Sequence, residues 1–332
     1  MFPFLQLPPE IRSIVIEHAL FNSRPAPEYP SKENRSTFND LRYMAWRARP
    51  YHEIRPTHSP SNSLDLLLTS KEFHDETKAI LARQESRYIK YHLDISAEND
   101  NDVFPTWLCV PYLTTHIDEL YVDVRLFGTI IHPSVGRMQG GDGGRSRYEW
   151  DFLALLERFL RYGPVGQKKI SDEQALDIRA YRVVCPPPIV DRDIRVDTMI
   201  LNLTSGEDKL QRGDFPHEEI TYCDWNIYRR GYGPRRGMPE LELPLTYYNT
   251  RPEWLAELLA EEIDALLDFG RDREGFARLL YARIRVIRML VDGRLFREFD
   301  VAALLEEYKL PDKSLRTMAS KFVDAPEWVF EL

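Results

Sequence analysis

The chain has 332 residues and a mass of 39.0 kDa, which allows one large domain or two ordinary ones with a proper core. Hydrophobic residues make up 43 % and aromatics 12 %, excluding an intrinsically disordered chain. The mean hydropathy of −0.43 and the lack of any long apolar run exclude a membrane-spanning helix. A net charge of −9 excludes nonspecific coating of nucleic acid as a default, so any such role needs a local basic patch.

The cysteines Cys109, Cys185 and Cys223 are too few for a disulfide scaffold and too far apart for a CxxC metal site. This points to a reducing compartment, the cytoplasm or the nucleus. The opening MFPFLQLPPE lacks the basic n-region and small-residue cleavage site of a secretory signal.

The first helix opens at Leu7-Pro8-Pro9-Glu10, where proline is tolerated because a first-turn N–H has no helical partner. Leu7, Ile11, Ile14, Val15 and Leu20 fall close to one face, and the helix ends near Phe21 and Asn22. Residues 23–63 are rich in Pro, Ser, Asn and Arg and read as a surface insertion, with Leu41–Trp46 its one short helical piece. Ser63 caps a second helical stretch to about Gln84, either one helix or two broken near Ser70, with Leu66, Phe73, Thr77, Ile80 and Leu81 on one stripe. These pieces make up an N-terminal unit over residues 1–85.

Strands are expected at Tyr88–Ile95, Ile117–Phe127, Leu176–Cys185 and Ile194–Leu203, with an amphipathic helix at Tyr148–Tyr162. This order predicts a mixed sheet with helical cover over 86–205 and an α+β class. Residues 206–249 read as irregular. The C-terminal part, 250–332, reads as helical. Thr250-Arg251-Pro252-Glu253 has the pattern of a capping box. Two helices follow: Leu255, Leu258, Leu259, Ile263 and Leu266 face inward on one, and Phe276, Leu279, Leu280, Ile284, Ile287 and Val291 on the other. Paired as a hairpin, they bring Glu262 and Arg283 within about 6 Å, where an ion pair offsets the cost of burying each. Short helices at about 299–309 and 313–322 complete the chain.

The chemistry-bearing motifs are weak. The loop at 136–146 holds Gly140, Gly141, Gly143 and Gly144 between a strand and a helix, the right place for a phosphate cradle. Its spacing is one residue short of a P-loop, and Arg-Ser stands where Lys-Ser/Thr is needed. The runs His74-Asp75-Glu76 and His116-Ile117-Asp118-Glu119 do not by themselves converge on a metal. There is no GxSxG elbow and no readable Ser/His/Asp grouping. No catalytic residue, metal or cofactor is therefore expected. Two basic clusters remain: Arg229, Arg230, Arg235 and Arg236 interleaved with Tyr and Gly, and a stripe Arg278, Tyr281, Arg285, Arg288. The first could stack on bases and grip phosphates or contact an acidic partner.

Leu7-Pro8-Pro9-Glu10-Ile11-Arg12 with Ile14 to Leu20, and then Leu67-Leu68-Thr69-Ser70-Lys71-Glu72-Phe73-His74-Asp75-Glu76, resembles the two halves of the F-box-like proteins abundant in filamentous fungi. The resemblance spans about 35 residues in two blocks, with about forty residues between them where an F-box runs on continuously. It implies a helical element that docks on a Skp-type adaptor of a cullin–RING ubiquitin ligase while the rest of the chain receives a substrate protein. The docking residues it implies are Leu7, Pro8, Ile11, Ile14, Val15, Leu67 and Leu68; the competing reading packs them onto the following sheet. The expected function is thus non-enzymatic protein interaction. The alternatives are a scaffold in a larger fungal assembly and, behind both, nucleic-acid binding through the 228–237 loop.

Overall fold

A computed structural model describes residues 4–33, 35–38, 50–53, 61–83, 88–99, 101–128, 147–166, 191–206, 221–223, 250–268 and 274–309. The strand expected at 176–185, the helices at 41–46 and 313–322, Cys185, and the loops at 136–146 and 228–237 lie outside them.

The first described elements are a 3₁₀ turn (Phe4–Gln6) and helix α1 (Pro9–Phe21). Strands β1 (Arg35–Thr37) and β2 (Tyr51–Glu53) form a small antiparallel pair within the insertion. The stretch after it is two helices, α2 (Asn62–Leu67) and α3 (Lys71–Arg83). Ser61, not Ser63, precedes α2; Ser63 is buried in its first turn with its hydroxyl 3.0 Å from that of Ser61. Ser70 separates the two helices and its hydroxyl accepts the Phe73 amide, capping α3.

The main sheet has the order β4-β3-β5-β6-β7-β8. Strands β3 (Lys90–Glu98), β5 (His116–Phe127), β6 (Arg195–Ser205) and β7 (Ile284–Val291) are parallel. An antiparallel strand is added at each edge: β4 (Asp102–Cys109) beside β3, and β8 (Arg294–Asp300) beside β7. Helix α4 (Arg147–Tyr162) lies in the crossover between β5 and β6, and α5 (Pro252–Leu267) and α6 (Glu274–Arg283) in that between β6 and β7. Helix α7 (Val301–Lys309) follows β8. The expected α+β class with a mixed sheet under helical cover is the fold observed.

Two expectations fail in the C-terminal part. The second arm of the anticipated helical hairpin stops at Arg283, and residues 284–300 continue the sheet as a β-hairpin. Asp292 and Gly293, with φ of 48° and 76°, form the two-residue turn between paired Val291 and Arg294. Both positions need positive φ, and Asp-Gly is the dipeptide that supplies it at least cost. The β-branched Ile284, Val286, Ile287 and Val291 favour the strand. Arg283 accordingly pairs elsewhere: its guanidinium meets Asp191 at 2.8 Å and Asp193 at 3.4 Å and donates to the Leu160 carbonyl, joining the end of α6 to the segment entering β6. The capping box is also absent. Arg251 holds the N-cap of α5 without a side-chain cap bond, and the Thr250 hydroxyl is buried without a hydrogen-bond partner.

Alternation along the strands sorts the two faces of the sheet. Tyr91, Leu93, Ile95, Leu120, Val122, Val124, Met199, Leu203, Ile287 and Met289 join Leu155, Phe159 and Leu160 of α4, Trp254, Leu255, Leu258 and Leu259 of α5, and Leu279 and Leu280 of α6 in one core. The opposite face presents Lys90, His92, Asp94 and Ser96 from β3, Glu119, Tyr121, Asp123 and Arg125 from β5, and Asn202 from β6. The first part of the insertion crosses it: Arg125 donates to the Pro27 carbonyl and to buried Asp94, and Tyr29 donates to Glu98. A separate small core, Ile16, Leu20 and Ile80 with Phe4, Phe21, Leu66, Phe73 and Leu81, unites α1, α2 and α3. Among the described residues no helix is long and apolar enough to cross a membrane.

Candidate functional site

Helix α1 carries apolar residues on two opposite sides. At 100° per residue, Ile16 and Leu20 point one way, while Ile11, Ile14, Val15 and His18 share an arc of about 100° on the other. Ile16 and Leu20 are sealed in the small core, at 1 % and 0 % exposure. Ile11 and Val15 are 44 % exposed and Ile14 is 63 % exposed. The single face expected from Leu7, Ile11, Ile14, Val15 and Leu20 is thus divided: Leu20 turns inward and the three β-branched residues turn outward. Pro8 is exposed and Leu7 half-buried. At the end of α2, Leu67 is half-buried and Leu68 is 77 % exposed. The stripe expected on α3 does face the core, with Thr77 and Ile80 fully enclosed.

Polar clamps hold α1 in this orientation. The Arg12 guanidinium donates to Glu76 of α3 at 2.6 Å and to the Leu7 carbonyl at 2.7 Å. The Glu76 hydrogen bond raises the Arg12 pKa above its ordinary value. Buried Asn62 donates through Nδ2 to the carbonyls of Leu20 and Asn22, at 2.9 and 3.2 Å, closing the C-terminus of α1 from forty residues away in sequence. Its own amide donates to the Val110 carbonyl beyond β4. His74 bonds through Nδ1 to the Leu67 carbonyl at 3.0 Å, an end-capping role.

The described part of the insertion leans on the sheet. The Arg24 amide donates to the Leu108 carbonyl, Lys32 pairs with Asp102 at 2.6 Å, and Tyr51 stacks on Phe104 with ring centres 5.0 Å apart. The outer residues of α1 stay exposed beside it.

The structure also assembles a Ser/His/Asp chain that the sequence did not reveal. His92 Nδ1 lies 3.1 Å from the Ser23 hydroxyl, and its Nε2 lies 2.8 Å from Asp123. Asn202 donates to the second Asp123 oxygen at 2.8 Å and accepts the Gly293 amide at 3.0 Å. Burial pushes the Asp123 carboxyl up, but the hydrogen bonds from His92 and Asn202 outweigh it and the net shift is downward. Ser23 stands just past the C-terminus of α1, the negative end of the helix dipole. That position opposes the oxyanion an acyl transfer develops, which needs aimed donors. These contacts link the post-α1 segment to β3, β5, β6 and the β7–β8 turn.

The stripe Arg278, Tyr281, Arg285, Arg288 is not one helix face: the first two lie on α6 and the last two on β7. Tyr281 is buried and donates to the Leu267 carbonyl, Arg285 lies 3.7 Å from Asp197, and Arg288 pairs with Glu298 at 2.5 Å. Arg229, Arg230, Arg235 and Arg236 lie outside the described residues. Cys109 is buried, and desolvation pushes its thiol up to about 11, as expected of a packed rather than reactive cysteine.

The chain matches no protein-family model, no curated protein and no solved structure. The functional reading therefore rests on the geometry above and on the two motif blocks.

Proposed function

We propose that the chain is a non-enzymatic protein-interaction module that docks on a Skp-type adaptor of a cullin–RING ligase through the outer face of α1, Ile11, Ile14 and Val15, with Leu68 of α2, while the remaining surface receives a substrate protein. The supporting observation is the two-sided apolarity of α1. One side satisfies the internal core; the other offers three adjoining β-branched residues to water, where helices of this kind are normally polar. An outward apolar helix face is what helix-in-groove recognition uses. The two motif blocks meet in space through Arg12 and Glu76, which supports reading them as one unit despite the insertion.

The test is titration calorimetry of the purified chain with a Skp-type adaptor. Binding should be saturable, and Ile14→Glu should weaken it at least about tenfold, because a charge would enter an apolar contact. The circular dichroism and melting temperature of that variant should stay unchanged. An intact chain that fails to bind, or an Ile14→Glu chain that binds equally well, would overturn the proposal.

A further inference from the structure

At the N-terminal ends of β5 and β6 stands a second cluster, unused by the docking face. The register pairs Ile117 with Val196 and Glu119 with Thr198, which sets Asp118 beside Asp197 on neighbouring parallel strands. Two like charges so placed repel. His116 precedes Asp118 by two residues and so shares its side of β5. His116 Nε2 lies 3.4 Å from Asp197 Oδ2 and 3.9 Å from Asp118 Oδ1. One ligand atom from each of the three lies within 4.8 Å of the others.

Each carboxylate is oriented by its other oxygen. Asp118 Oδ2 accepts the Ile89 amide at 2.6 Å. Asp197 Oδ1 faces the Arg285 guanidinium at 3.7 Å. The oxygens turned toward His116 are the remaining ones. Outer groups that hold a ligand by its far atom and aim the near one are a regular part of metal centres.

We propose that His116, Asp118 and Asp197 bind a divalent transition-metal ion, zinc foremost, which fastens the start of β5 to the start of β6. One imidazole nitrogen with two carboxylate oxygens suits zinc, whereas magnesium and calcium take oxygen ligands alone. A tetrahedral ion with bonds of about 2.0–2.1 Å spaces its ligand atoms about 3.4 Å apart. The His116–Asp197 pair already has that spacing, and the His116–Asp118 pair reaches it by a small side-chain rotation. The exposed side of His116 leaves a fourth position to water. Two carboxylates and a neutral imidazole carry the charge that a divalent ion cancels, and the ion removes the Asp118–Asp197 repulsion. The unfolded chain does not hold these three residues together, so the ion favours the folded state.

The experiment is calorimetric titration of the tag-free full chain with zinc chloride and, in parallel, magnesium chloride, before and after His116→Gln or Asp197→Asn. Wild type should bind one more equivalent of zinc than either variant, and magnesium should show no corresponding step. Equal zinc stoichiometry in wild type and His116→Gln would overturn the assignment. A second measurement needs no substitution: cobalt(II) added to isotope-labelled wild type should broaden the backbone amide signals of Ile89 and of residues 115–119 and 195–198 first. Broadening centred anywhere else would overturn it too.

Discussion

The assignment of two opposite faces to α1 is open to a direct comparison, because isoleucine occupies both. Ile16 is 1 % exposed and Ile14 is 63 % exposed, two residues apart on one helix. Truncating Ile16 to alanine removes three buried carbons. At about 0.8 kcal/mol for each, transfer alone comes to roughly 2.4 kcal/mol, and the cavity left between Leu20, Ile80 and their neighbours raises the total to about 3–4 kcal/mol. Truncating Ile14 removes carbons that water already reaches, and alanine is the better helix former, so its cost is within about 0.5 kcal/mol of zero. Urea denaturation followed by far-ultraviolet circular dichroism reads both at once. Ile16→Ala should shift the unfolding midpoint to lower urea, and Ile14→Ala should leave it in place. Comparable losses from the two variants, or a larger loss from Ile14→Ala, would refute the division into a folding face and a free face.

Two further outcomes follow from polar groups held within the fold. Thr77 is fully enclosed in α3 and its hydroxyl has no hydrogen-bond partner; Thr77→Val keeps the β-branched shape and removes the desolvation cost, so the melting midpoint should rise, by about 1 kcal/mol of stability, and a lower midpoint would count against the geometry. At Asp191 burial pushes the carboxyl up, but the Arg283 hydrogen bond and its neighbours bring the net value below the ordinary range. A carboxyl lower in the folded than in the unfolded chain adds stability that is complete above the unfolded value, near pH 4, and is lost as pH falls through the folded value. Denaturation midpoints measured between neutral pH and pH 3 should therefore fall less steeply for Asp191→Asn than for wild type, and parallel curves would contradict the Arg283 contact.

The parts of this fold that the sequence exposes are those whose pattern has one reading. Strand β3 alternates polar and apolar residues over its whole length, β5 does so from Glu119 to Leu126 and β6 over part of its length, and α4 has a single apolar arc, so each was legible to within a few residues. Strand β4 was not, because Pro105 interrupts DVFPTWLC; a proline without an amide donor is tolerated there since β4 lies at the sheet's edge. Residues 284–291 have two readings. Ile284, Ile287 and Val291 fit a helical stripe, while Ile287, Met289 and Val291 fit one side of a strand, and the Asp292-Gly293 turn is the signal that separates them. The Ser23–His92–Asp123 chain, the Asn62 clamp and the Asp118–Asp197 pair were all illegible for one reason: each joins residues brought together only by the order of strands and the path of the insertion.

The same consideration bears on why α1 can keep one side free. A helix with apolar residues on two opposite sides has no single preferred direction from hydrophobicity alone, so periodicity could not decide which of its residues turn inward. Directional contacts decide it instead. Arg12 is held by Glu76 and the Leu7 carbonyl, and Asn62 closes the far end at Leu20 and Asn22. Hydrogen bonds fix rotation about the helix axis in a way that area burial does not, and both clamps are independent of Ile11, Ile14 and Val15. The outer face is therefore held in place by contacts within the chain, which the proposed docking would use as it stands. Docking on a preset helix avoids the ordering cost that a flexible segment would meet. On that logic Arg12 and Glu76 set the rotation of α1, and with it the direction in which Ile11, Ile14 and Val15 face.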